Sequence, residues 1–204
     1  MELNAAVFEA KPKVVVHPPV WLTAVRFTVV TAVLLGLIYP LAVTGIAGAV
    51  FPHQANGSLI LKDGQVIGSE LLAQSFTADR YFHPRPSAAG NGYDATASGG
   101  SNLGQSNKAL VKRLQGDIDK LSADNGGKPV PIDMVTTSGS GLDPDITPDN
   151  AYYQAARVAK ARGITEDALR SLIAKDTTQR QFGLLGEPRV NVLALNLDLD
   201  KLSH

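Results

Sequence analysis

The chain has 204 residues, which fits one ordinary domain with an appendage. Its 19 basic and 19 acidic residues cancel, and this balance argues against nucleic-acid binding through a basic surface. The absence of cysteine excludes disulfide scaffolds, thiol nucleophiles and cysteine zinc sites.

The first predicted element crosses a membrane. The 25 residues from Phe27 to Phe51 carry no charge, and 18 of them are apolar. About 20 helical residues span a bilayer core of ~30 Å, so this segment is long enough with some tilt. The alternatives are a buried soluble helix and a signal peptide cleaved at Ala47-Gly48-Ala49, but the stretch is longer than either usually is. We therefore predict a retained transmembrane helix over residues 27–52.

The distribution of basic residues predicts how this helix is oriented. Lys11, Lys13 and Arg26 precede the span, whereas only Lys62 lies in residues 53–72. Basic residues favour the cytoplasmic side of a span. We predict a cytoplasmic tail over residues 1–26 and an extracytoplasmic domain over residues 53–204.

Four residues interrupt the apolar character of the span, namely Gly36, Pro40, Gly45 and Gly48. Small residues let a neighbouring helix approach closely, and proline removes a backbone donor and can kink a helix. Glycine and proline are also generally commoner in membrane helices, which is the simpler explanation. We predict that these four positions contact a partner helix.

The remaining chain predicts a mixed α+β domain without regular βαβ repeats. An Asp-Gly pair at 63–64, between two apolar runs, predicts a β-hairpin, and Ser69 is expected to cap a short helix that ends at Phe76. The last segment alternates leucine with polar residues, which predicts a half-buried strand. In chain order, the other predicted elements are a loop over 83–107, a helix over 106–121, a strand over 130–136, a small-residue loop over 138–145, helices that begin at Thr147 and Thr165, and the final strand over 192–202.

The sequence shows no clear catalytic or metal-binding pattern. Its four histidines are scattered, and no phosphate-binding loop or hydrolase motif is complete. Ser98-Gly99-Gly100-Ser101-Asn102 can cradle an anion with backbone amides, although a structural turn is the simpler interpretation. The residues alone favour a membrane-anchored accessory subunit, and the alternative is a membrane-tethered extracytoplasmic enzyme of unidentified type.

Several short motifs resemble those of a known family. They are Tyr39-Pro40-Leu41, Gln54-Ala55-Asn56-Gly57-Ser58-Leu59, Tyr81-Phe82-His83, Ala97-Ser98-Gly99-Gly100-Ser101-Asn102-Leu103, Arg157-Val158-Ala159-Lys160-Ala161-Arg162 and Val190-Asn191-Val192. In order and spacing they are similar to the KdpC family, the C subunit of the bacterial Kdp potassium-transporting P-type ATPase. The tail up to about residue 19 has no matching motif.

This resemblance implies a non-catalytic inner-membrane subunit of an ATP-driven, high-affinity potassium importer. The implied partners are a channel-like potassium-translocating subunit and a P-type ATPase catalytic subunit, and the implied roles are assembly and a raised affinity of the catalytic subunit for ATP. Gln154 matches a family position, so it and residues 98–102 are candidates for contact with a nucleotide or a partner. Because ATP is cytoplasmic, direct contact conflicts with an external domain, and an effect on ATP affinity would have to pass through the span. No cofactor or metal ion is predicted to bind this chain directly, and ATP is expected to be used by the complex.

Overall fold

An apolar helix begins the part of the chain that the computed structural model describes, residues 19–202. It consists of α1 (Val20–Val33), a π-helical turn (Leu34–Ile38) and α2 (Tyr39–Val50). Together they form 31 continuous residues that are long and apolar enough to cross a membrane, and no residue of the most apolar window is buried. The helix thus begins before Phe27, where the predicted span starts.

The π-helical turn lies directly before Pro40. The Tyr39 N–H donates to the Leu34 carbonyl, five residues earlier. Proline has no N–H, and its ring clashes with the carbonyl four residues before it, here that of Gly36. A wider turn relieves this clash. Pro40 therefore accounts for the local widening of the helix at Leu34–Ile38.

The backbone divides into two compact units between Ala55 and Asn56, just after the short helix α3 (Pro52–Ala55). The second unit begins with an antiparallel hairpin of β1 (Leu59–Lys62) and β2 (Gln65–Ser69). Both turn residues of the Asp-Gly pair have positive φ, the conformation that favours this pair in hairpins. The predicted hairpin is therefore confirmed.

Three helices begin at side-chain caps. The cap residues are Asn107, Thr147 and Thr165, and each side chain accepts a backbone N–H of the first turn. The helices are α4 (Lys108–Asp124), α5 (Pro148–Arg162) and α6 (Glu166–Asp176). Gly163 ends α5 with φ of 68°, a left-handed conformation that glycine adopts without strain. All three predicted helices are confirmed.

The core of the second unit lies between α5, α6, a last helix and a small sheet. The sheet is antiparallel with strand order β3-β5-β4, and its strands are β3 (Asp145–Ile146), β4 (Thr177–Thr178) and β5 (Arg189–Asn191). Phe82, from the segment between β2 and α4, is fully buried in this core. The architecture is α+β behind one apolar helix, as predicted.

The prediction of a final strand was wrong, because the segment forms the helix α7 (Val192–Leu202). Its buried residues include Val192, Leu195, Asn196 and Leu199. Their spacing of three, four and seven residues from the first is that of one helix face. The alternating leucines concealed this pattern because Asn196 is polar and was assigned to the solvent side.

Two smaller predictions were also wrong. The predicted strand over 130–136 is a loop that contains a 3₁₀ turn, Ile132–Met134. Pro131 precedes that turn, and its fixed φ of about −65° suits a helical start better than a ladder. Ser69 ends β2 and its Oγ accepts the Leu71 N–H, so it caps a single turn and no helix follows.

Candidate functional site

Among residues 19–202, the glycines of the apolar helix have open space beside them. A Cβ atom added to Gly36, Gly45 or Gly48 would meet no atom within 4 Å beyond the local helix, and Pro40 is exposed. Within residues 19–202, the chain itself therefore provides no packing reason for these glycines. The space beside them is open to lipid or to another helix.

Residues 98–102 pack against the second small-residue loop. The Ser98 hydroxyl and the Gly99 N–H both donate to the Ser140 carbonyl, at 3.0 and 2.8 Å. Gly141 has φ of 68°, and a Cβ there would lie 2.6 Å from the Gly99 carbonyl oxygen. The glycines thus allow two backbones to approach closely.

This packing commits the Gly99 amide, one of the donors proposed for an anion. Asn102 has φ of 51°, a left-handed conformation that asparagine adopts more readily than most residues. Contact between residues 98–102 and a nucleotide or a partner stays a prediction.

Gln154 lies on α5 and is buried, and its amide is hydrogen bonded on every side. Its Oε1 accepts the His83 N–H at 2.8 Å and an Arg157 N–H at 2.7 Å. Its Nε2 donates to the His83 carbonyl at 3.0 Å and to Asn150 Oδ1 at 2.7 Å. In this arrangement the side chain holds another segment of the same domain.

Asn196, on α7, holds the neighbouring residue in the same way. Its Oδ1 accepts the Phe82 N–H at 2.8 Å, and its Nδ2 donates to the Phe82 carbonyl at 2.9 Å. Phe82 and His83 are consecutive in sequence. Each has its backbone N–H and its carbonyl bonded to one side-chain amide, that of Asn196 and that of Gln154. We call residues 81–83 the strapped segment.

Two arginines complete the attachment of the strapped segment. Arg157 donates to the Tyr81 carbonyl at 3.1 Å and to the Asp79 carbonyl at 2.7 Å. Arg162 pairs with Asp200 at 2.7 Å, and its guanidinium lies 4.8 Å from the centre of the Tyr81 ring. The Tyr81 hydroxyl also donates to Asp200, at 3.2 Å. Arginine suits this role because its planar fork donates several bonds while it stacks on an aromatic ring.

His83 has an environment that disfavours its charged form. Its Nε2 lies 3.1 Å from the Ala78 carbonyl oxygen and 3.4 Å from Arg157 Nη1. Burial and, secondarily, the Arg157 charge lower the pKa of His83 below its ordinary value. The neutral form of the His83 imidazole is therefore favoured in the folded chain.

A second buried polar cluster fixes the start of α5. Asp133 accepts the Thr147 N–H at 2.8 Å, the Thr147 hydroxyl at 3.1 Å and the Asn150 amide at 3.0 Å. Since Asn150 also accepts a hydrogen bond from Gln154, this cluster is connected to the hydrogen bonds that hold the strapped segment. Sequence reasoning missed Asp133, Asn150 and Asn196, because only their polar character at core positions of a helix or turn hints at such a role.

An open cleft of about 690 Å³ lies beside Gln154, between α4 and α5. Its lining mixes both signs of charge, with Asp79 and Asp124 as acids and Arg157 and Lys160 as bases. The Tyr153 hydroxyl in the lining donates to the Leu121 carbonyl at 2.8 Å. Within residues 19–202, no three histidine, aspartate or glutamate residues are grouped to hold a metal ion.

These features define a class of protein: one candidate membrane-spanning helix followed by an α+β domain whose buried polar groups organise the domain itself. The sequence profile of the family "KdpC: K+-transporting ATPase, c chain" matches residues 21–201. The chain therefore belongs to the KdpC family, which confirms the resemblance of its motifs.

Individual relatives agree with this assignment over most of the chain. A potassium-transporting ATPase KdpC subunit of Koribacter versatilis is 58% identical over 179 residues, 88% of this chain and 93% of the relative. The protein of the same description from Acidobacterium capsulatum is 60% identical over 181 residues, 88% of this chain and 97% of the relative. One from Caulobacter vibrioides is 60% identical over 169 residues, 82% of this chain and 86% of the relative.

Proposed function

We propose that this protein is a non-catalytic accessory subunit of an ATP-driven potassium import complex. The observation that carries the proposal is the family match over residues 21–201. The relatives that are about 60% identical are described as subunits of a potassium-transporting ATPase. A subunit of such a complex acts through its partners, here a channel-like potassium-translocating subunit and a P-type ATPase catalytic subunit.

The site of action is the bacterial inner membrane, with residues 1–26 in the cytoplasm and residues 53–204 in the periplasm. The exposed apolar helix Val20–Val50 supports membrane attachment. The three basic residues before the span, against one in residues 53–72, support the orientation. Gly36, Pro40, Gly45 and Gly48 serve as the contact with a partner helix, since residues 19–202 leave the space beside the glycines unfilled.

The hydrogen bonding of the buried polar residues supports a non-catalytic role. Among residues 19–202, the hydrogen bonds of the buried side chains Gln154, Asn196 and Asp133 run to backbone or side-chain groups of the same domain. A catalytic group instead needs access to a substrate and a pKa suited to proton transfer. This network stiffens a domain that assembles with others.

The influence on ATP use passes through the assembled complex. With a periplasmic domain, ATP lies across a hydrocarbon core of ~30 Å. The accessory subunit therefore changes ATP affinity by stabilising one conformation of the catalytic subunit, as a coupling free energy between distant sites.

Co-purification tests this function. The affinity-tagged chain, extracted in mild detergent from the membranes of its native host under potassium limitation, is expected to bring down two larger membrane proteins with potassium-stimulated ATPase activity. The chain purified alone is expected to hydrolyse no ATP. If the isolated chain hydrolyses ATP and a point change within it abolishes turnover, the accessory role is contradicted.

A second experiment tests the orientation and uses the absence of cysteine. Lys120→Cys places a thiol on the exposed surface of α4, and Ala5→Cys places one in the tail. A membrane-impermeant maleimide is expected to label Lys120→Cys in intact spheroplasts, but Ala5→Cys only after permeabilisation. The reverse pattern would show that the domain faces the cytoplasm.

A further inference from the structure

The loop between β4 and β5 presents three large apolar side chains to solvent. Phe182, Leu184 and Leu185 are 91%, 80% and 60% exposed. We call these three residues the apolar tip. Single exposed apolar residues are common on protein surfaces, but an adjacent group of this size usually marks an interaction site.

The apolar tip is held in a defined shape. Gln181 and Leu185 exchange two backbone hydrogen bonds at 2.8 and 2.9 Å, and the Leu184 N–H donates to the Gln181 carbonyl at 3.1 Å. Phe182 has φ of 53° and Gly183 has φ of 73°. A bulky aromatic residue rarely adopts positive φ, so the turn keeps phenylalanine where asparagine or glycine would be less strained.

The base of the apolar tip is polar and balanced in charge. Arg180 forms an ion pair with Glu187 across the base of the loop, and Arg189 pairs with Asp145 at 3.0 Å. An apolar centre with a polar rim is the arrangement found in protein–protein interfaces. Attraction to an anionic lipid surface depends on an excess of basic charge, which these pairs cancel.

We propose that the apolar tip is an assembly anchor that inserts into an apolar socket on a partner protein subunit. The inference rests on the proposed function, because it needs a complex in which this chain is an accessory subunit. A preformed turn loses little conformational freedom on binding, so its side chains contribute their burial directly to affinity. Phe182 is the largest and most exposed residue of the anchor, and Leu184 and Leu185 complete it.

Phe182→Asn is the decisive variant. Asparagine tolerates positive φ better than phenylalanine, so the loop is expected to keep its shape and the chain its thermal midpoint. Loss of a central interface aromatic typically weakens binding by on the order of tenfold or more. We expect a comparable fall in the recovery of the larger subunits with the tagged full chain, and a similar fall for Leu184→Ser.

Val111→Ser is the matched control, since Val111 is 54% exposed and lies on α4, outside the loop that carries the apolar tip. It is expected to leave recovery unchanged. If Phe182→Asn and Leu184→Ser assemble as well as this control, the anchor is overturned while the accessory function stands. If the unchanged chain recovers no larger subunit, the proposed function fails and the anchor fails with it.

Cysteine labelling separates a protein socket from lipid. In the chain carrying Leu184→Cys, an impermeant maleimide is expected to react quickly in liposomes that contain this chain alone, and much more slowly in the assembled complex. Protection in those liposomes would place the tip in lipid and contradict the proposal. Equal reactivity in both preparations would contradict it as well.

Discussion

At the scale of single residues, two side-chain amides give the strapped segment the backbone hydrogen bonds that a neighbouring strand would otherwise supply. Phe82 is fully buried, so its backbone N–H and carbonyl need partners that water cannot supply. A primary amide offers one acceptor and two donors on a short planar group, and can satisfy both backbone groups of one residue. Asn196 and Gln154 do this for Phe82 and His83 in turn.

The two hydrogen bonds between Asn196 and Phe82 predict that a nearly isosteric substitution of Asn196 strongly destabilises the fold. Asn196→Asp keeps the acceptor for the Phe82 N–H but replaces the donor by a carboxylate oxygen that faces the Phe82 carbonyl. Leaving a buried carbonyl without a donor beside a charge costs about 2 to 4 kcal/mol. Urea unfolding of the full chain in detergent is expected to show this loss. Asn91→Asp, at an exposed position, is the control. Equal losses in the free energy of unfolding for the two variants would contradict the role of Asn196 in holding the strapped segment.

His83 predicts a pH dependence of stability. Burial and Arg157 lower its pKa in the folded chain below the unfolded value of about 6.5, so the fold binds fewer protons than the unfolded chain. The stability linked to His83 is therefore fully present above that pH and is lost as the pH falls through the lower, folded pKa. His83→Gln cannot titrate, so its thermal midpoint is expected to fall less than that of the unchanged chain between pH 7.5 and pH values below the folded pKa. Parallel falls would contradict the neutral state of His83.

At the scale of elements, capping and turn chemistry were predictable and the last helix was not. Thr147-Pro148, Thr165 and the Asp-Gly pair act locally, so their sequence signals were sufficient. In α7, a buried asparagine interrupts the apolar face, and its partner Phe82 is 114 residues away. Only the tertiary structure makes asparagine suitable for the core, so periodicity assigned it to the surface.

The candidate sites were predictable to a similar, partial extent. The motifs were specific enough to give the family, because short phrases in fixed order carry information that no single one does. They did not reveal why Gln154 stands where it does, since its bonds to His83 span 71 residues. Residues 98–102 were understood as an anion cradle or a turn, and the structure adds their contact with Ser140.

The contact between the two small-residue loops predicts different outcomes for two neighbouring glycines. Gly141→Ala would place a Cβ 2.6 Å from the Gly99 carbonyl oxygen and 2.7 Å from the Ala89 nitrogen, at positive φ. The clash and the strained backbone together are expected to cost about 2 to 4 kcal/mol in the free energy of unfolding. For Gly139→Ala, a Cβ meets nothing within 4 Å, so this variant is the control. Similar stabilities of the two variants would show that the loops do not pack in this way.

The apolar helix predicts an assembly defect without a folding defect. A Cβ atom at Gly45 or Gly48 would meet no atom within 4 Å beyond the local helix among residues 19–202, so membrane insertion of Gly45→Leu and Gly48→Leu is expected to stay intact. A partner helix packed against the glycine would be forced away, and helix contacts in membranes depend on close packing. Co-purification of the larger subunits is expected to fall, whereas Leu34→Ile leaves it unchanged. Full assembly of every glycine variant would leave the helix as an anchor only.

At the scale of the whole molecule, the described chain combines a candidate membrane-spanning helix with a domain whose buried polar groups are hydrogen bonded within the domain. The helix exposes its apolar side chains along its length, and the buried amides and carboxylate of the second unit bond to backbone and side chains of the same unit. A formal net charge of zero gives no long-range attraction to nucleic acid. Specific contacts with partner proteins are the function that this combination supports.

The central claim is that the chain serves a potassium-transporting ATPase without hydrolysing ATP itself. The most direct measurement is potassium-stimulated ATP hydrolysis in membranes from the native host, compared before and after deletion of the gene for this chain. We expect the stimulated activity to be lost on deletion and to return when the chain is expressed again. Unchanged potassium-stimulated hydrolysis in the deletion membranes would contradict it.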